Sequence, residues 1–304
     1  MTSPGRVLVT GGGGFVGRHA VPALIARGYE VHVAGRTLAT NLPASVTVHC
    51  ADLFADGAAT RLVNEVKPSH LLHLVWNVTP GAFWTALENL DWVAASLNLF
   101  RAFAEQGGKR LVAAGSCAEY DWTHDWLDEA GTPLRPQTLY GAAKNALREL
   151  LEATAPQTGV SVAWGRVFFL YGPHEGQARL VPYVVNSLLA GKAAQLSDGH
   201  QERDFMHVFD AARAFAMLID SDVEGAVNVA SGDCRPLRGI VELIARDMNA
   251  PNSMLEFGAR PTPAGDPPRL AANVSILRDR VGFTPEYDLR AGLAQSIGWW
   301  REQA

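Results

Sequence analysis

The sequence predicts an α/β fold: a doubly wound parallel sheet with a smaller, interleaved C-terminal substrate lobe. Three observations lead there. Short β-branched runs alternate with longer amphipathic stretches through the first half of the 304 residues. Such alternation implies crossover connections, and crossovers give a parallel sheet covered on both faces. A glycine-rich turn joins the first run to the first amphipathic stretch. The composition, 48% hydrophobic and 19% charged, belongs to a chain that buries a core and is far from that of a disordered one.

Taken in order, 7–10, 31–34, 46–50, 70–75, 110–114 and 161–168 read as buried strands. Segments 15–27, 56–66, 83–105 and 138–154 read as the helices between them. Beyond 168 the pattern loosens, with Pro- and Gly-rich loops near 171–177 and 260–270. Between those loops, 181–190 and 208–218 read as helices and 226–230 as one more strand. Residues 1–168 are therefore expected to form a cofactor-binding domain with returns near 204–230, and 169–304 mainly a substrate lobe.

Several function classes are excluded early. A net charge of −5 and a pI near 6.0 advertise no basic face for nucleic acid or anionic membrane. No run is long enough to span a bilayer, there are no repeats, and the N-terminus lacks a secretory pattern. Cys50, Cys117 and Cys234 are an odd set at wide spacing without a Cys-x-x-Cys pair. That argues against a disulfide framework or zinc site and for a reducing cytoplasm. The nine histidines form no metal set. His70 and His73 fall in a buried strand as neutral core residues, and His19 lies inside the first helix.

The glycine turn carries the first chemistry. Gly11-x-x-Gly14-x-x-Gly17 follows a strand and opens a helix, with Phe15 and Val16 inside the turn. Glycine permits the tight turn and a close approach of backbone to a pyrophosphate, whose charge then faces the helix N-terminal amides. This is the dinucleotide-binding arrangement of a Rossmann sheet. An acidic residue ending the second strand would select NAD, through the ribose hydroxyls. Gly35-Arg36 stands there instead, and the Arg36 guanidinium suits the 2′-phosphate of NADP. Asp52, after the third strand, either accepts from the adenine amino group or caps a helix. Leu53 beside it and Leu74 at the end of the fourth strand complete the expected cofactor contacts.

Tyr140 and Lys144, four residues apart on a helix that Thr138 can cap, share one face. A tyrosine hydroxyl titrates near ~10, so it needs a neighbouring cation to work at neutral pH, and Lys144 is one turn away.

With the glycine spacing, this pair resembles the short-chain dehydrogenase/reductase superfamily, and chain length makes the resemblance one to its extended branch. That branch, the NAD-dependent epimerase/dehydratase family, acts mainly on nucleotide sugars. The resemblance spans almost the whole chain: His73-Leu74, Asn89, Ser116 to Tyr120, Arg166 to Tyr171-Gly-Pro173, Arg203 to His207-Val, and Asn228. It implies that Ser116 binds the substrate oxygen beside Cys117, Tyr140 exchanges the proton, and Lys144 holds the nicotinamide ribose and lowers the tyrosine. It further implies that Arg203 meets the substrate diphosphate and that the helices at 83–105 and 138–154 pair into a homodimer.

Departures from the family pattern narrow the activity. Nucleotide-sugar dehydratases carry Asp-Glu directly after the catalytic hydroxyl residue, where this chain has Cys117-Ala118. Glu119 is one place further and points the other way if the segment is extended. Cys117 has no histidine nearby in sequence and reads as a small buried hydrophobe. Phe169 replaces the usual Asn before Tyr-Gly-Pro, and Arg260 or Arg269 must stand in for a displaced phosphate-binding arginine. Trp122 and Trp126 resemble a loop of 4-keto-6-deoxyhexose reductases, where they either stack on substrate or pack the loop. The expected activity is NADPH-dependent reduction of a ketone, at C4 of a nucleotide-linked 4-keto-6-deoxyhexose. An NAD-retaining nucleotide-sugar epimerase is the alternative, and a non-catalytic redox sensor ranks below both because Tyr140 and Lys144 are present.

Overall fold

The structure is a computed structural model describing residues 4–37, 41–263 and 265–304. The first half reads β1 (Arg6–Thr10), α1 (Gly17–Ala26), β2 (Glu30–Gly35), β3 (Thr47–Cys50), α2 (Ala58–Val66), β4 (His70–His73), α3 (Glu88–Glu105) and β5 (Arg110–Ser116). A two-residue β6 (Trp126–Leu127), α4 (Leu139–Thr158), β7 (Ser161–Val167), β8 (Phe169–Tyr171), α5 (Leu180–Leu189) and β9 (Ala194–Leu196) follow. The chain ends with β10 (Glu202–His207), α6 (Val208–Asp220), β11 (Gly225–Val229), β12 (Cys234–Pro236), α7 (Leu237–Asp247), β13 (Leu255–Phe257), β14 (Arg269–Ala272) and α8 (Leu289–Gln303).

Seven strands form one parallel sheet in the order β11-β7-β5-β4-β1-β2-β3. Strand order reverses between β1 and β4, which opens a crevice beyond their carboxyl ends, the place where such sheets hold ligands. The centre is apolar on both faces. Val7, Leu8 and Val9 have no exposed surface, as expected where helices cover both sides. One face packs Ala20, Val21 and Leu24 of α1 with Phe215 of α6. The other packs Leu62 of α2, Phe103 of α3 and Leu147 of α4.

A second sheet runs β12-β10-β14-β6, with β8 also paired to β10, and β9 pairs β13 separately. These strands are two to six residues long, too short for the periodicity that marked the main sheet. With α5, α7 and α8, strands β8, β9 and β13 form a separate apolar cluster around Val184, Ile244 and Trp300, while Leu127 of β6 and Leu270 of β14 pack in another.

Among the element boundaries that differ from expectation, four bear on the site. The first helix begins at Gly17, because 11–16 is spent in the glycine turn. The second begins at Ala58 after Gly57 in a left-handed conformation, so Asp52 does not cap it. The third begins at Glu88, and Phe83 lies in the preceding turn. Strand β5 runs on to Ser116. Among the described residues no helix is long and apolar enough to cross a membrane.

Candidate active site

The glycine turn is built as its spacing demands. Gly11 has φ +76°, its N–H donates to Ala34 O at 3.2 Å, and its carbonyl accepts from Gly14 N at 2.9 Å. A Cβ on Gly17 would collide with Gly11 O, and one on Gly12 would lie 2.6 Å from Val33. Backbone therefore comes up against backbone, and Val16 stands at the N-cap of α1 with no side-chain cap over the first amides. These are the features of a phosphate cradle. Arg18, which no motif singles out, donates to Gly13 O at 2.9 Å and Gly14 O at 3.3 Å and so ties the helix to the turn.

Below the cradle, Thr10 Oγ1 and His73 Nδ1 are 2.8 Å apart, and His73 Nε2 meets Ser96 Oγ at 2.8 Å. Burial, reinforced by the Lys144 charge, pushes His73 down to about 3. It is a neutral connector between β1, β4 and α3. Leu74, half-buried, continues the ladder with its N–H on Thr10 O.

At the far end of β2, Arg36 is exposed with its guanidinium 5.9 Å from the Phe54 ring. Asp52 accepts from Phe54 N at 3.1 Å and so closes the turn that holds Phe54 and half-buried Leu53 beside α3.

The chemical end of the crevice lies where β5 meets α4. Thr138 caps α4 through Gly141 N at 3.1 Å, which puts Tyr140 and Lys144 on consecutive turns of its buried face. Ser116 ends β5 and opens a 3-10 turn over Cys117–Glu119, with its Oγ accepting from Ala118 N at 3.2 Å. Burial pushes the Tyr140 phenol up, and its hydrogen bond to Ser116 opposes this. Lys144 was expected to lower the tyrosine. Its ammonium instead donates to Ala114 O at 2.8 Å and lies 3.8 Å from the centroid of Trp76. Burial brings Lys144 itself down to about 7, opposed by Glu119.

The wall around Tyr140 was not foreseen from the chain. Phe83 and Trp84 stand edge-on to its ring at 4.9 and 5.7 Å, and Trp76 at 6.4 Å. Asn89 holds the wall together, accepting from Trp76 Nε1 at 2.8 Å and donating to Phe83 O at 2.8 Å. An aromatic directly after a buried strand end, at Trp76, was the available signal.

Glu119 corrects an expectation while keeping its consequence. The segment is a turn and not extended, so Glu119 points inward, fully buried, and accepts from Ser116 N at 2.7 Å. It also accepts from Trp164 Nε1 at 2.9 Å and pairs with Arg166 at 2.7 Å. Burial alone would lower Arg166, and Glu119 more than offsets this. The pair continues through Tyr120, which accepts from Arg166 at 3.0 Å and donates to Asn228 at 2.8 Å. A carboxylate engaged on every side is not free for acid-base work. Burial pushes the Cys117 thiol up to about 12, which disfavours the thiolate a nucleophile needs.

Arg203 is buried and its guanidinium meets Asp266 at 2.6 Å, so the Gly265-Asp266 loop already supplies its anion. Arg260 donates to Tyr183 at 3.1 Å and Arg269 pairs with Glu202 at 3.4 Å. Trp122 packs the loop, donating to Cys117 O at 2.8 Å, whereas Trp126 on β6 is 53% exposed.

A cofactor cradle, a Tyr-x-x-x-Lys helix and a serine turn thus share one crevice. The model of the NAD dependent epimerase/dehydratase family matches residues 7–230. The chain belongs to that family. It is 25% identical to a UDP-glucose 4-epimerase of Corynebacterium glutamicum, over 94% of this chain and 92% of the relative. A dTDP-glucose 4,6-dehydratase of Xanthomonas campestris is 28% identical over 96% and 92%. Among solved structures, UDP-glucose 4-epimerase of Thermus thermophilus in complex with NAD superposes with a TM-score of 0.83, at 27% identity over 98% and 100%. In fold alone, a UDP-N-acetylglucosamine 4-epimerase of Methanobrevibacter ruminantium is similar at a TM-score of 0.87 and 24% identity, over 99% of each chain.

Proposed function

We propose that the protein reduces a ketone with NADPH, at C4 of a nucleotide-linked 4-keto-6-deoxyhexose, with Ser116, Tyr140 and Lys144 as catalytic residues. The observation that carries this reading is the buried, protonated Tyr140 beside Ser116, with no free carboxylate in the turn after it. A nicotinamide dinucleotide fits the residues present, since the Gly11–Gly17 cradle leaves no room for a Cβ and presents uncapped amides. When bound, that group supplies the hydride.

The chain's own residues do the rest. Ser116 Oγ holds the carbonyl oxygen, and Tyr140 gives its proton to that oxygen as the carbon receives hydride, leaving an alcohol. Lys144, held by Ala114 O and the Trp76 ring, would hold the nicotinamide ribose. Arg36 and the absence of an acidic residue at the end of β2 support NADP over NAD. Replacing Arg36 with Asp is expected to reverse the preference between NADPH and NADH in fluorescence titrations. An unchanged preference would remove the NADP assignment.

A second reading is a nucleotide-sugar epimerase with retained NAD, supported by the relatives of that activity. Stoichiometric NAD released on denaturing the purified protein would favour it. The homodimer belongs to the same proposal. The outer faces of α3 and α4 form an apolar groove of about 390 Å³ lined by Leu90, Leu97, Ala142 and Ala146, with Leu90 55% exposed. Small residues at its floor let the matching helices of a second copy approach closely.

A further inference from the structure

Just past β4, in the loop that leads to α3, stands the half-buried Trp76. Lys144, 3% exposed, sets its Nζ 3.8 Å from the centroid of this indole. That is well inside the range of about 6 Å over which a ring face attracts a cation.

An ammonium carries three N–H donors. Among the described residues, the acceptor it reaches is Ala114 O, at 2.8 Å. Little else near it carries charge. Trp164 presents a second ring at 5.9 Å, His73 is neutral, and the Glu119 carboxylate is committed to Arg166. Burial pulls the lysine down to about 7, with the field of Glu119 opposing. A buried ammonium so placed needs a further partner to favour its charged form, and among aromatic side chains an indole face is the best.

The direction of that face is fixed. Trp76 Nε1 donates to Asn89 Oδ1 at 2.8 Å, and Asn89 is itself anchored, donating to Phe83 O and Ala86 O at 2.8 Å each. Trp92 stacks on Trp76 with centroids 6.0 Å apart, and the Tyr140 ring stands edge-on at 6.4 Å. Packing alone would be served by any apolar side chain. The indole adds a π face at the ammonium and an N–H that holds this face in place.

We propose that Trp76 is a positioning residue of the reaction: its indole face keeps Lys144 charged and set against Ala114 O, ready for the nicotinamide ribose. The inference rests on the role given to Lys144 above and adds the group on which that role depends.

The test begins with NMR on the ligand-free protein, isotopically labelled at lysine. The chain has four lysines, and Lys67, Lys109 and Lys192 are exposed. The indole ring current is expected to put the Lys144 ε-methylene signal upfield of the others. Trp76→Leu is expected to return that signal among them and to lower the Lys144 titration midpoint by about one pH unit, the scale of one desolvated cation–π contact. Trp76→Phe, which keeps a smaller π face, should lie between the two.

Binding titrations follow, with NADPH and with adenosine 2′,5′-bisphosphate, which lacks the nicotinamide ribose. NADPH affinity should fall as pH rises through the Lys144 midpoint, and in Trp76→Leu the fall should begin about one pH unit lower. The bisphosphate should keep one pH profile in both proteins. A wild-type Lys144 signal that is not upfield, or an equal midpoint in Trp76→Leu, overturns the proposal and leaves the dinucleotide reading standing. A lowered midpoint with an unmoved NADPH profile also overturns it alone, since Trp76 would then hold the lysine without serving the cofactor. A wild type that binds neither ligand overturns both.

Discussion

Replacing Glu119 with Gln tests the electrostatic frame on which Ser116 stands. Glu119 and Arg166 are 0% and 1% exposed at the side chain, so solvent screens neither. The amide would keep the shape but leave the Arg166 guanidinium buried without a counter-charge. Breaking such a pair costs roughly 3–5 kcal/mol, and the Ser116 amide and Trp164 indole would compete for one remaining acceptor. Taking about 4 kcal/mol and about 2–3 °C per kcal/mol for a domain of this size, Tm falls by roughly 10 °C. The assay is a double-mutant cycle in thermal unfolding with Arg166→Met. Removing both charges is expected to recover at least about 2 kcal/mol of the loss from Glu119→Gln. Turnover should recover in part with it, since Glu119 positions Ser116 and touches no substrate. Additive losses within about 0.5 kcal/mol would refute the buried-pair argument. Recovered stability without any recovered turnover would instead make Glu119 an acid or base in the chemistry.

Two further predictions follow from geometry already described. Gly17→Ala drives a Cβ into Gly11 O, so the cradle must open; dinucleotide affinity is expected to drop at least about a hundredfold with the fold retained by circular dichroism, and unchanged affinity would contradict a phosphate site there. Leu90→Asp puts a charge into the α3–α4 groove, and sedimentation at micromolar concentration should shift from dimer to monomer; a wild type that is monomeric would remove the dimer.

Much of this was legible in the chain, for identifiable reasons. The seven-stranded sheet announced itself because its central strands are buried on both faces and read as apolar runs, as at Val7–Val9. The glycine cradle and the Tyr140–Lys144 pair were legible because their spacing is fixed by local geometry, a turn in one case and a helix repeat in the other. Contacts that depend on where distant segments meet were not. Glu119 lies three residues past Ser116, yet its role is set by Trp164 and Arg166 on β7. Lys144 was expected beside the phenol, but the Ala114 carbonyl and the Trp76 ring claim it. Arg203 was expected to be free for a diphosphate, and a loop over sixty residues later brings Asp266 to it. The second sheet stayed hidden because two- and three-residue strands such as β6 and β12 carry no period to read.

The central claim is that Tyr140 donates a proton while NADPH reduces a sugar ketone. The most direct measurement is NADPH oxidation, followed by absorbance, against a panel of nucleotide-linked 4-keto-6-deoxyhexoses with wild type and Tyr140→Phe. The account predicts substrate-dependent oxidation by wild type that falls by about 10²–10⁴ in Tyr140→Phe, with dinucleotide binding retained. Interconversion of a sugar epimer pair without net oxidation, with NAD held tightly throughout, would contradict it.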